Sequence, residues 1–67
     1  MNLHNRLKLV RTERGMTQEA LAAAVGVTRQ TIIAIEKAKF VPSVKLALEL
    51  ARALSSRMDD LFWLDNI

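Results

Sequence analysis

Residues 21–37 read LAAAVGVTRQTIIAIEK, two helical patterns broken at Gly26. Glycine takes positive φ without a Cβ clash, so the chain can turn sharply there and lay the second pattern across the first. Ala22, four residues before Gly26, is small enough for the later helix to approach closely. Leu21, Val25, Val27, Ile32 and Ile35 supply the apolar contacts that would lock the crossing angle. A small residue, a turn glycine and apolar residues at these offsets make the pattern of a helix-turn-helix.

Angular position divides the later helix into two faces. At about 100° per residue from Arg29, Ile33 falls near 40°, Lys37 near 80°, Gln30 near 100° and Ala34 near 140°. Ile32 and Ile35 fall near 300° and 240°, on the opposite side. The inner face is therefore aliphatic, and the outer face mixes Arg, Gln, Lys, Ile and Ala. Such a mixture suits the major groove. Arg29 can bond bidentately to guanine, Gln30 to adenine, and Ile33 can touch a thymine methyl group. Lys37 and Lys39, at and beyond the helix end, are better placed for phosphates, which supply affinity and register rather than sequence information.

Outward from this pair, spacing and breakers predict five helices. The first spans about 2–14, with Leu3, Leu7 and Val10 as its apolar stripe and Gly15 as its stop. Thr17 is the expected N-cap of the second, 18–25, and Thr28 that of the third, ending near Lys37. Ser43, after Pro42, caps the fourth, with Val44, Ala47, Leu50, Ala51 and Leu54 along one face. A short fifth helix, about 58–64, completes the all-α reading, with residues 1–67 taken as one domain.

Composition narrows the classes. At 67 residues, about 60% of the unfolded surface is buried on folding, so the core is thin. Three aromatics, two glycines and one proline argue against turn-rich β architecture and low complexity. With no cysteine, disulfides, thiolate metal sites and cysteine nucleophiles are excluded. The longest apolar run, residues 20–25, is far too short for a membrane span, and the first residues lack a signal-peptide core. A cytoplasmic protein without membrane contact is expected. The net charge of +3 is uneven: residues 1–45 carry +5 and residues 46–67 carry −2, so the basic two-thirds can face a polyanion.

At this point the chain resembles a known family. RTERGMTQEALAAAVGVTRQTIIAIEKAKFVPSVKLALELARAL (residues 11–54), followed by MDDLFW (residues 58–63), is similar to the helix-turn-helix domain of phage repressors and Cro proteins, the XRE family. The similarity runs from about Arg6 to Trp63. It implies a compact five-helix, repressor-like DNA-binding domain in a transcriptional regulator, with helices two and three as the helix-turn-helix. Arg29, Gln30, Ile33 and Ala34 match the base-reading positions. Gln18, opening helix two, matches a phosphate contact, and Thr17, Thr28 and Thr31 complete the expected phosphate set with Lys37 and Lys39. Arg11 and Glu36 match a structural ion pair. The chain departs from the family pattern at Ala38, where glycine is usual. It departs again at Ser55, Ser56 and Arg57, where Ser56 is left as the expected cap of helix five.

Other features favour plain structural roles. Arg6, Lys8 and Arg14 read as solvated, and His4 as lying near a fraying end. Asp59 and Asp60 point in different directions on a helix and suit its first turn, so they are not a catalytic or metal pair. No catalytic triad, phosphate loop or metal-ligand spacing is present. No enzyme, cofactor or small-molecule effector is expected. In LFWLDNI, residues 61–67, Leu61 and Phe62 should complete the core. Trp63, Leu64 and Ile67 are the expected exposed apolar patch and homodimer surface. The resembled family commonly dimerises through this region, and a two-fold dimer would read a palindromic operator on double-stranded DNA with recognition helices about 34 Å apart. The alternative function is a protein-interaction module or antitoxin-type adaptor that retains the fold.

Overall fold

The computed structural model describes residues 2–65. Five helices follow one another: α1 (Leu7–Glu13), α2 (Gln18–Val25), α3 (Arg29–Glu36), α4 (Val44–Ala53) and α5 (Met58–Leu61). A two-stranded antiparallel sheet, β1 (Leu3–Asn5) with β2 (Phe62–Leu64), ties the two ends together in the register Leu3↔Leu64, His4↔Trp63, Asn5↔Phe62. Three helix starts are where the caps predict. Thr17, Thr28 and Ser43 accept from the amides of Ala20, Thr31 and Leu46, and each sits in extended backbone.

The ends of the first and fifth helices need correction. Residues 2–6 are not helical. Leu3 satisfies the helical spacing to Leu7, but its strand pairs with β2, and the Asn5 side chain replaces the missing turn. Its Oδ1 accepts from the Leu7 amide at 3.0 Å, and its Nδ2 donates to the Ile35 carbonyl at 2.9 Å. Helix five stops at Leu61, because Phe62–Leu64, a run with strong β preference, finds β1 as a hydrogen-bonding partner. Ser56 does not cap α5. Arg57 holds that position without a side-chain cap bond, while the Ser56 hydroxyl donates to the Leu54 carbonyl.

The core is one cluster. Leu7, Leu21, Ile32, Ile35, Leu50, Leu54 and Leu61 are its fully buried side chains, and Phe62 joins them. Leu61 and Phe62 are therefore core, as expected. On α4, Leu46 is buried in place of Val44, which is 69% exposed, because the burial arc begins one turn face away from the first helical residue.

Four helices end by the same device. The amides of Met16, Val27, Lys39 and Ser56 reach back five residues to the carbonyls of Arg11, Ala22, Ala34 and Ala51. Each closure needs a left-handed residue just before the donor. Gly15 and Gly26 fill two of these positions at φ 71°, whereas Ala38 (φ 59°) and Ser55 (φ 51°) fill the others. An L-residue in that region costs about 1–2 kcal/mol. At Ser55 the neighbouring carbonyl is steadied by Arg14, whose Nε donates to the Leu54 oxygen at 2.8 Å and whose terminal nitrogen donates to Ser56 Oγ at 3.3 Å. Arg14 is thus a cap for the end of α4 and not the free solvated charge its position suggested.

Candidate nucleic-acid interface

Gly26 at φ 71° makes the turn between α2 and α3, and Ala22, 3% exposed, lies in the contact between the helices. Ile32 and Ile35, 0% and 1% exposed, anchor α3 from beneath. Its other side carries Arg29, Gln30 and Lys37 in the exposed class, with Ile33 and Ala34 half-buried beside them. The two faces derived from helical periodicity are therefore the two faces of the folded helix. Thr17 and Thr28 are exposed, Gln18 and Thr31 half-buried, and Lys39 stands exposed after α3.

A polar chain runs under this surface. Arg29 Nε donates to Gln18 Oε1 at 3.3 Å, and Gln18 Nε2 donates to Glu36 Oε1 at 3.1 Å. Glu36 in turn accepts from Arg11 Nε at 2.7 Å and from its terminal nitrogen at 3.4 Å, while the other Arg11 terminal nitrogen donates to the Met16 carbonyl at 2.8 Å. The Arg11 and Glu36 side chains are only 9% and 5% exposed, and Arg11 is the buried charged residue of the core. A buried pair tolerates desolvation only when its remaining hydrogen-bonding groups are also satisfied, and here Gln18 and the Met16 carbonyl satisfy them. Among the described residues no buried side-chain nitrogen or oxygen lacks a partner.

The result is a fixed link from α1, through the end of α3, to the start of α2 and back to the first residue of α3. Above it lies an open depression of about 540 Å³ lined by Arg11, Thr17, Gln18, Glu19 and Arg29. The Arg11–Glu36 pairing was expected; the engagement of Gln18 on both sides was not. Polar residues eleven and eighteen positions apart carry no periodic signal, so sequence spacing could not reveal it.

The C-terminal surface is only partly free. Leu64 is 54% and Trp63 38% exposed, but the indole of Trp63 stacks on His4 and lies 4.7 Å from the Arg6 guanidinium carbon. Ile67 lies outside the described residues. Sequence reading passed over a second run of exposed apolar side chains: Phe40 and Val41 in the α3–α4 joint, and Val44 and Leu48 one turn apart on α4. An amphipathic pattern that buries Leu46 had to leave Val44 outside, and that was the available signal. Among the described residues no cluster of histidine and acidic side chains could hold a metal, and no helix is long and apolar enough to cross a membrane.

Similarity to known proteins agrees with this geometry. The sequence matches the HTH_3 helix-turn-helix family over residues 7–61. It is 49% identical over 64 residues to the uncharacterized HTH-type transcriptional regulator YgzD of Bacillus subtilis, covering 96% of this chain and 97% of that protein. It is 57% identical over 57 residues to an uncharacterized HTH-type transcriptional regulator of Methanothermobacter thermautotrophicus, covering 84% and 83% of the two chains. Its fold is similar to the crystal structure of the restriction-modification controller protein C.AhdI from Aeromonas hydrophila, with a TM-score of 0.78 and 33% identity across 82% of this chain and 83% of that one. With a helix-turn-helix in place and relatives of nearly equal length, the chain belongs to the HTH_3 helix-turn-helix family of transcriptional regulators.

Proposed function

We propose that this protein is a sequence-specific DNA-binding repressor that inserts α3 into the major groove. One observation carries the reading: the solvent side of α3 presents Arg29 and Gln30, and Arg29 is tethered by Gln18 from the neighbouring helix. A guanidinium held at one nitrogen keeps its other donors for a base edge and loses less rotamer freedom on binding. Gln30, Ile33 and Ala34 complete the reading face, with Ile33 opposite a thymine methyl group. Thr17, Gln18, Thr28, Thr31, Lys37 and Lys39 supply phosphate contacts. A homodimer formed through Trp63, Leu64 and Ile67 would place two such helices on a palindromic operator, with no small-molecule effector and no cofactor, in the cytoplasm.

Selection of bound sequences from a random DNA pool tests binding, preference and half-site spacing together. A two-fold symmetric consensus is expected, with affinity falling steeply as salt rises. A pool that returns no preferred sequence would overturn the reading. Sedimentation well above the DNA-binding concentration tests the dimer, and a monomer there would remove it. A second reading, a protein-interaction module of the adaptor or antitoxin kind, is favoured by Val41, Val44 and Leu48, each more than half exposed. Absent or salt-independent DNA binding together with stoichiometric capture of a protein partner would select it.

A further inference from the structure

We infer that the joined ends of the chain form a proton-sensitive clasp, in which the charge on His4 sets how firmly β1 and β2 hold Trp63. The sheet has three residues per strand, and a two-stranded pair of that length is marginal by itself. Backbone bonds from the Asp65 amide to the Asn2 carbonyl and from the Arg6 amide to the Leu61 carbonyl, both 3.0 Å, bracket it. Its side chains then decide whether it stays closed. His4 stands opposite Trp63 in the register and stacks on the indole, with ring centroids 6.0 Å apart at 22°. His4 Nε2 meets Asp65 Oδ1, and the other carboxylate oxygen of Asp65 accepts from the Asn2 amide at 3.1 Å.

Among the described residues, the charged groups facing His4 and the indole are the Asp65 carboxylate beyond β2 and the Arg6 guanidinium beyond β1. Asp59, on adjacent α5, is engaged by Arg57 at 3.2 Å. Imidazole is the side chain whose charge ordinarily changes between about pH 5 and 8. A neutral ring can still donate to Asp65, but a charge-assisted bond is roughly twice as strong. Protonated His4 therefore closes the clasp, and the closure weakens as the ring loses its proton with rising pH. At the acid end the clasp fails when Asp65 is protonated. The hydrogen bond from His4, and then the Asn2 amide, hold that carboxyl below its ordinary value, so this limit is displaced toward lower pH. Opening would release the indole beside Leu64, which is already 54% exposed.

Trp63 is the single tryptophan, so its fluorescence reports on the clasp directly. Emission, and hydrogen-exchange protection at the Asp65 amide, are measured from pH 5 to 8 for the full chain, His4→Phe and Asp65→Asn. In the unaltered protein the emission should move to longer wavelength and the protection factor fall severalfold with rising pH. His4→Phe keeps a stacked ring without a titrating proton and should flatten both profiles; Asp65→Asn should lower protection throughout and remove most of the step. His4 is exposed, so neither variant disturbs the core, and circular dichroism across the range verifies folding. A pH step that survives in His4→Phe, or no step in a folded unaltered protein, overturns the clasp. The response should not depend on protein concentration, which separates it from the dimer reading.

Discussion

The α2–α3 turn and the β1–β2 pairing are both held by an ion pair between residues far apart in sequence, yet water treats the two differently. Arg11 and Glu36 have 9% and 5% of their side chains exposed, whereas His4 and Asp65 have 48% and 28%. The buried pair carries two further partners and sits beneath the surface that would meet DNA; the exposed one stands in solvent beside an aromatic ring. Removing one member of the first strands a charge in the core. Removing one member of the second returns a charge to water. Rigidity at the recognition surface and looseness at the termini follow from that difference in dielectric surroundings.

The largest test of the contrast is Glu36→Ala. Leaving Arg11 buried and unpaired costs about 3–5 kcal/mol, against a total stability of roughly 3–10 kcal/mol for a chain of this length. Urea or thermal unfolding should show a protein at the edge of folding, and Arg11→Met combined with Glu36→Leu should recover much of the loss. If the single variant unfolds with an unchanged midpoint, the pair is not the anchor described.

Next in size is Arg29→Ala, which should cost about 1–3 kcal/mol of discrimination on the selected operator. Affinity for random DNA should change far less. Equal losses on both would assign Arg29 to phosphate. Gln18→Ala should give a smaller loss on the same assay, because it releases Arg29 without removing it.

The left-handed closures offer a gain. Ala38→Gly should raise stability by about 1 kcal/mol, the relief of the L-residue penalty less the extra freedom glycine has when unfolded. A midpoint that falls on denaturant unfolding would show that the Ala38 methyl group makes a contact worth more than its strain.

The smallest effect belongs to Asp65. Its carboxyl is held below the ordinary value, first by His4 and then by the Asn2 amide. A group whose folded value is lowered contributes stability above its unfolded value and loses that contribution as pH falls through the lowered one. The unaltered protein should therefore lose slightly more stability than Asp65→Asn between neutral and acid pH. Parallel stability profiles would deny the carboxylate its folded-state partner.

The helices most legible in the sequence were those with a cap and a stop inside a few residues. Thr17 with Gly26, Thr28 with the Ile32 and Ile35 spacing, and Ser43 after Pro42 each impose a local condition that the fold obeys. The reading face of α3 was equally legible, because helical geometry alone separates Arg29, Gln30 and Lys37 from Ile32 and Ile35.

The ends of the chain were not legible. Leu3 fits a helical stripe and a strand equally well over so few residues, and only the arrival of Phe62–Leu64 from about sixty positions away decides for the strand. Val44 and Leu46 compete for the same apolar role, and the angle at which α4 lies on the core buries Leu46. The polar chain from Arg29 through Gln18 to Glu36 and Arg11 likewise needs three helices assembled before its members meet. Caps, turn residues and helical period act over a few bonds, so the sequence by itself determined where the inner helices begin and which way α3 faces. Pairing between distant backbone groups and the burial of distant charges depend on which surfaces the packed core brings together, and those the tertiary structure alone decided.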